Sequence, residues 1–312
     1  MRSAAIVFEK PGMLAVRRLA LNAPEASDVV VESRFSGVSS GTEKMLYEGT
    51  MPAFPGMRYP LVPGYETVGT IIEAGPTSGR SVGDQVFVPG ANCYTDAAGL
   101  FGASAALLVV PGARTVPTHF EQEEDAALLA LAATAHHAVC RSARAASLVI
   151  GHGVLGRLIA RVLVATGHPS PLVWETNPAR RTGAQGYVVM TPDDEPDLRH
   201  DVIIDASGNP DIVDRAIMRL NRRGDLVLAG FYGARVDFAF PAAFMKEASM
   251  TIAAEFTPAD VQAVLALVES GRLSLGGLIT HHSAPSDAAS AYRTAFNDPD
   301  CLKMIIDWRN AA

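Results

Sequence analysis

Cysteine is scarce in this chain. Cys93, Cys140 and Cys301 are far apart and form no CxxC pair. Their spacing argues against a disulfide framework and against a cysteine-rich zinc site, and it points to a reducing, cytoplasmic setting. Basic runs are missing too, and the formal net charge is −7, so nucleic acid is not the expected partner. No uninterrupted apolar stretch reaches the ~18 residues that span a bilayer, because Gly, Pro or Arg interrupts each of the longer ones. The opening MRSAAIVFEKPG lacks the apolar run of a signal peptide. A peripheral membrane contact is compatible with the sequence but not encoded in it.

What is present is a globular composition: 312 residues, 48% hydrophobic and 19% charged, enough for two domains. Residues 1 to about 120 are rich in Gly and Pro, with short alternating segments such as AAIVFE, DVVVESRFSG, ETVGTIIEAG and DQVFVPG. These read as strands ended by turns, and Gly83 and Asp84 form one such turn. A β-rich, barrel-like unit is expected. From about Glu121 the character changes. EQEEDAALLALAATAHHAVCRSA reads as a helix with an acidic first turn. Strand-like SLVIG, PLVWE, DVIIDAS and DLVLAGFYG then alternate with helix-like VLGRLIARVLVATG and PDIVDRAIMRLNRRG, the pattern of a doubly wound parallel sheet. From about Thr280 a helix, a turn at 297–300 and a terminal strand break this rhythm, and that strand is expected to return to the first domain. The expected division is 1–120 with 281–312, and 121–280.

The most specific motif is SLVIGHGVLGRLIARVL. Gly151, Gly153 and Gly156 form GxGxxG between a buried-type strand and a helix, the context that gives the pattern meaning. Gly151 suits a tight turn, Gly153 a close backbone approach to a pyrophosphate, and Gly156 close packing of helix on strand. The helix N-terminus, from Val154 and Leu155, offers amide donors to phosphate. Glu175 ends the next strand about 20 residues on, where a carboxylate accepts from the adenosine ribose diol and repels a 2′-phosphate. NAD is therefore expected over NADP, a preference softened by Arg180 and Arg181. Ala206, Ser207 and Gly230 end two further strands and leave room for a nicotinamide ribose.

The order of these parts, with GVSSGTE, PGYETVG and VGDQV in the first half, resembles the medium-chain dehydrogenase/reductase superfamily over nearly the whole chain. The resemblance implies an α/β protein with a GroES-like β-barrel-type catalytic domain and a Rossmann domain, in an oxidoreductase that uses NAD and forms a homodimer, with the segment 225–256 as the dimer edge. The departures matter. The three positions at which zinc members hold the catalytic metal fall on Ser40, on Tyr65 and on an alanine near Ala130. The four-cysteine zinc lobe is reduced to Cys93. No metal is expected. The stretches 38–69 and 86–105 are similar to a narrower family that oxidises a 1-hydroxyethyl group on a bacteriochlorophyllide tetrapyrrole to acetyl. That likeness implies a tetrapyrrole substrate and contact with a membrane or with another enzyme of pigment synthesis.

Without a metal, loosening the alcohol O–H falls to a hydrogen-bonded relay. Thr42 takes the family's relay hydroxyl position. Tyr65, with its pKa lowered by nearby charge, is a candidate to polarise the alcohol oxygen. Glu66 is a candidate to orient that oxygen or to accept the proton through water. Each also has a plain structural reading, Tyr65 as a packed aromatic above all. Met45, Leu46, Tyr47, Met51, Phe54, Met57 and Tyr59 form a soft set suited to a flat ring, or else ordinary core; Ser40, a further substrate candidate, reads otherwise as a small residue filling the vacated ligand space. His136 and His137, adjacent on a helix, are expected to point in different directions, and His152 reads as a spacer in the glycine turn. Two other functions fit the same residues: a zinc-free NAD(P)H quinone or enone reductase or other secondary-alcohol dehydrogenase, and a non-catalytic nucleotide sensor.

Overall fold

The computed structural model describes residues 1–53 and 55–311. Its contacts divide the chain into two compact units, Met1–Leu129 with Ile279–Ala312, and Ala130–Leu278.

The first unit is built around the strand Asp28–Val38. Val29, Val30 and Val31 are fully buried, each worth about 1.5–3 kcal/mol over exposure. That outweighs the weak strand preference of Glu32. One edge of the strand pairs antiparallel with Thr67–Ala74, with register shifts between Val30 and Val31 and between Ser33 and Phe35. Such irregularities bend a strand. The other edge pairs first with Leu107–Pro111 and then, beyond the bend, with Met304–Asp307. The terminal strand thus returns to this unit as the sequence suggests. Trp308 fastens it, buried and donating its indole N–H to Ser36 Oγ at 2.8 Å. The turn at Gly83 and Asp84 leads into the strand Gln85–Val88. A second, four-stranded sheet (Met13–Ala20, Arg2–Lys10, Leu61–Val62, Ala98–Gly99) completes the unit.

The second unit is a six-stranded sheet with every neighbour parallel. Its order is Val188–Met190, Leu172–Trp174, Leu148–Ile150, His200–Asp205, Leu220–Leu228, Ser249–Ile252. The fold class is the expected α/β arrangement: a GroES-like unit and a doubly wound Rossmann unit. Two local expectations change. The residues LNRRG, read as helix, open the strand Leu220–Leu228 after the helix Val213–Arg219 ends; Leu220 pairs with His200, and Arg223 takes a positive φ of 60°. The long helix expected from Glu121 is a 3-10 turn, Glu123–Leu128, followed by the helix Leu129–Val139.

Candidate active site

In the second unit the nucleotide residues lie at the carboxyl ends of neighbouring parallel strands, where ligands of open α/β sheets bind. Gly151 has φ +93°, and a Cβ on Gly156 would stand 1.9 Å from the Gly151 carbonyl oxygen. The helix Val154–Ala165 therefore packs on the turn only because Gly156 has no side chain. A Cβ on Gly153 would meet open space, which marks the side where a ligand can approach. Glu175 is buried. It accepts from the His152 N–H at 3.0 Å and the Asn177 N–H at 2.8 Å, one bond to each oxygen, so each oxygen keeps capacity for a ribose hydroxyl. Ala206 and Ser207 follow the strand His200–Asp205, and Gly230 follows Leu220–Leu228.

Two residues here do more than the sequence suggests. Asp205, fully buried, accepts from the Ser207 N–H at 2.8 Å and the Tyr232 hydroxyl at 3.0 Å, tying the two strand-end loops together. Burial pushes its carboxyl up. His152 is not a spacer but a latch. It is fully buried, with Nδ1 2.6 Å from the Arg180 carbonyl and Nε2 2.8 Å from the Tyr187 hydroxyl. A carbonyl only accepts, so Nδ1 carries the hydrogen and Tyr187 donates to Nε2. Burial lowers the imidazole to about 4, so it stays neutral and fixes the segment that follows Glu175. His136 and His137, expected to diverge, both turn to one carboxylate: their Nδ1 atoms lie 2.7 and 3.1 Å from the two oxygens of Asp260.

In the first unit the strand Asp28–Val38 ends in a turn that opens the helix Thr42–Glu48, and Tyr65 precedes the strand Thr67–Ala74. The Tyr65 hydroxyl donates to Ser39 Oγ at 2.7 Å, with the Thr42 hydroxyl as a second partner, and its ring meets Phe101 edge-on. Burial, and then the charge of Glu66, raises the Tyr65 pKa. This corrects the expected lowering: Tyr65 acts as a neutral hydroxyl, not a tyrosinate. Ser40 is exposed. Glu66 is fully buried, ion-paired with Lys303, and its pKa is raised by burial against the opposing pull of that lysine. Lys303 Nζ also donates to the Val38 carbonyl at 3.2 Å. Glu66 is therefore sealed from solvent rather than open to water. The sequence reading missed Glu43, one residue after Thr42. It is fully buried, and burial, with the charge of Glu66 adding, raises it to about 8.

The soft side chains expected to line a cleft rest on a hydrophobic core. Met51 is buried in it, and Tyr47, Met57 and Tyr59 pack partly exposed against it. The Tyr47 hydroxyl donates to Gly12 and that of Tyr59 to Leu46. Phe54 lies outside the described residues.

Comparison with known proteins agrees with this geometry. Residues 25–119 match the alcohol dehydrogenase GroES-like domain. A 2-desacetyl-2-hydroxyethyl bacteriochlorophyllide A dehydrogenase from Rhodobacter capsulatus is 50% identical over 100% of both chains. Its namesake from Cereibacter sphaeroides is 51% identical, again over 100% of both. The chain belongs to the medium-chain dehydrogenase/reductase superfamily. Among solved structures it shares the fold of L-idonate 5-dehydrogenase from Escherichia coli (TM-score 0.85, 19% identity, 98% of each chain). It also shares that of a short chain alcohol dehydrogenase from E. coli complexed with NADH (TM-score 0.82, 22% identity, 98% of this chain and 99% of that one).

As a member of this superfamily the protein is an oxidoreductase acting on CH–OH groups with a nicotinamide cofactor, and the glycine turn and Glu175 fit that cofactor. The superfamily's zinc does not fit. The positions at which the resemblance expects cysteine and histidine ligands hold an exposed serine, Ser40, and a tyrosine, Tyr65, whose hydroxyl donates to Ser39. Neutral hydroxyls are poor zinc ligands. Among the described residues no three His, Cys, Asp or Glu side chains gather to hold an ion.

Proposed function

We propose that this dehydrogenase oxidises the 3-(1-hydroxyethyl) group of a bacteriochlorophyllide to 3-acetyl with NAD⁺ and without zinc, as a step of bacteriochlorophyll synthesis. The observation that carries the reading is the full-length identity to two relatives named for that substrate. Glu175 favours NAD, because its buried carboxylate would meet a 2′-phosphate with like charge. Serine and tyrosine, at Ser40 and Tyr65, where the resemblance expects cysteine and histidine, favour a metal-free site.

A bound nicotinamide ring supplies the hydride acceptor. The chain's own part is to hold the alcohol and take its proton. Tyr65 and Thr42 present neutral hydroxyls that hold the alcohol oxygen. The pair of Glu66 with Lys303 holds the segment carrying Tyr65, since the Glu66 carbonyl also accepts from the Gly37 N–H at 2.8 Å. The product carbonyl is conjugated with the macrocycle, so such a carbinol needs less activation than a simple alcohol. Ser40 and the exposed parts of Tyr47, Met57 and Tyr59 are assigned to the ring, with Met51 behind them. The chain acts as a homodimer through the free edge of Ser249–Ile252, the last strand of its sheet. No helix among the described residues is long and apolar enough to cross a membrane, and the pigment reaches the site by surface contact with a membrane or a pathway enzyme.

The test is a spectral assay. Purified protein with a 3-hydroxyethyl chlorin and NAD⁺ should red-shift the pigment band as acetyl forms, with NADP⁺ a poor substitute. Consumption of NADPH with a quinone or enone and an unchanged chlorin would assign it to the reductases. Nucleotide binding with no turnover would make it a sensor.

A further inference from the structure

Several strands of hydrogen bonding in the parallel-sheet unit meet at His152. This residue is fully buried, although it lies between Gly151 and Gly153 in the turn assigned to the pyrophosphate. Its backbone N–H donates at 3.0 Å to Glu175, the carboxylate assigned to the ribose. Its carbonyl accepts from Arg157 Nε at 3.0 Å. Its ring donates from Nδ1 to the Arg180 carbonyl at 2.6 Å and accepts at Nε2 from the Tyr187 hydroxyl at 2.8 Å. Arg157 Nη2 donates to that same Arg180 carbonyl at 3.0 Å. Arg161, one turn further along the helix Val154–Ala165, faces the Tyr187 hydroxyl and donates to the Ser274 and Gly276 carbonyls at 2.9 and 3.0 Å. Arg157, Arg161 and Tyr187 are all buried. Burying two guanidiniums, an imidazole and a phenol hydroxyl is costly unless each is bonded, and here the bonds converge on one segment. Between Glu175 and Tyr187 that segment is mostly exposed, with one short turn, Pro178–Arg180, and no strand to hold it. It lies close on Arg157: a Cβ on Gly183 would stand 2.5 Å from Arg157 Nη1.

We infer that His152, with Tyr187 as its partner, is a positioning residue for the dinucleotide: it holds Glu175 and the segment carrying Arg180 and Arg181 in one fixed relation, and so sets both NAD⁺ affinity and discrimination against NADP⁺. This rests on the NAD reading above. A ribose diol needs the carboxylate oxygens at a set place, and the His152 N–H fixes one of them. The Arg180 carbonyl takes two buried donors, the His152 ring and Arg157, so the two arginines are carried on a backbone that is tied down relative to that carboxylate. A segment released from these donors can rearrange around a 2′-phosphate and pair it with a guanidinium, which offsets the repulsion from Glu175. The tie depends on direction. Nδ1 gives its hydrogen to a carbonyl, which only accepts, and Nε2 takes one from a hydroxyl. Only the neutral ring does both, and burial keeps it neutral.

Nucleotide titration and steady-state kinetics of three variants test this. Tyr187→Phe removes one hydroxyl, His152→Leu removes both ring bonds, and His152→Asn keeps a donor for the Arg180 carbonyl. The Kd and KM for NAD⁺ should rise about tenfold in His152→Leu and roughly threefold in Tyr187→Phe, with kcat within about twofold of wild type. His152→Asn should recover part of the loss. The ratio of kcat/KM for NAD⁺ to that for NADP⁺ should fall in the same order. A smaller folded fraction lowers the apparent kcat but moves neither Kd nor this ratio, so the readout separates positioning from structural damage. If His152→Leu does not fold, Tyr187→Phe and His152→Asn carry the test. An unchanged NAD⁺ Kd and an unchanged ratio in those two overturn the inference. A wild type that prefers NADP⁺ refutes the cofactor reading and the inference with it. A wild type that binds NAD⁺ but leaves the chlorin unoxidised refutes the proposed substrate alone, because the titration reads the His152 contacts without it.

Discussion

The buried carboxyl of Glu43 has a stability signature of its own. Its folded pKa, about 8, lies above the ordinary 4.5. Between these values the unfolded chain releases the proton and the folded chain keeps it, so stability is full below about pH 4.5 and falls as pH rises toward 8. The slope is at most about 1.4 kcal/mol per pH unit. Glutamine does not titrate. Thermal melts should therefore show Glu43→Gln gaining on the wild type from pH 5 to pH 8, and a constant difference would contradict the assigned burial. The glycines of the turn separate packing from ligand contact. Gly156→Ala places a Cβ 1.9 Å from a backbone oxygen and should cost about 1–3 kcal/mol or more of stability. Gly153→Ala meets open space and should leave the melt unchanged while weakening NAD⁺ binding in a fluorescence titration. Weakened folding without weakened binding at Gly153 would remove the pyrophosphate from that position. These glycines were legible in the sequence because their meaning is local, set by spacing between a strand and a helix. Glu43 was not legible, because its burial depends on Lys303 and Tyr292, which only the fold brings to it.

Between elements, the terminal strand Met304–Asp307 is held to the first unit by the pairing of Lys303 with Glu66 as well as by its ladder to Asp28–Val38. Breaking a buried pair from one side leaves an uncompensated charge and costs about 3–5 kcal/mol. Lys303→Met should show that loss in urea unfolding, and adding Glu66→Gln should recover much of it. A single-variant loss no larger than that of a surface substitution would mean that the pair is not buried in solution. The return of this strand was readable because a strand after a helix breaks the βα rhythm. The start of Leu220–Leu228 was not readable. Local preference in LNRRG is helical, and pairing with His200–Asp205 overrides it. The convergence of His136 and His137 was hidden for the same reason: Asp260, at the start of a distant helix, draws both rings inward.

At the scale of the whole molecule, the outer strand of the parallel sheet leaves an edge beside a cluster of bare side chains. Phe240, Phe244, Met245 and Ile252 are 60–74% exposed, an apolar patch that a lone soluble chain rarely keeps. Light scattering should give twice the chain mass of 32.9 kDa, and Phe244→Asp with Ile252→Arg should halve it. A monomeric wild type would contradict the homodimer. The two-unit architecture was legible from the change of pattern along the chain, and the proposal of a metal-free site rests on the identity of single residues within two motifs. The burial of Glu43 and Glu66 near Tyr65 was not legible, because only the fold sets it. The central claim is that the Tyr65 and Thr42 hydroxyls, not a cation, loosen the substrate O–H. Its most direct test is zinc analysis of catalytically active protein before and after exhaustive chelation, with chlorin oxidation measured on the same samples. The account expects far less than stoichiometric zinc and an unchanged rate. Stoichiometric zinc, lost together with activity and restored with it, would contradict the account.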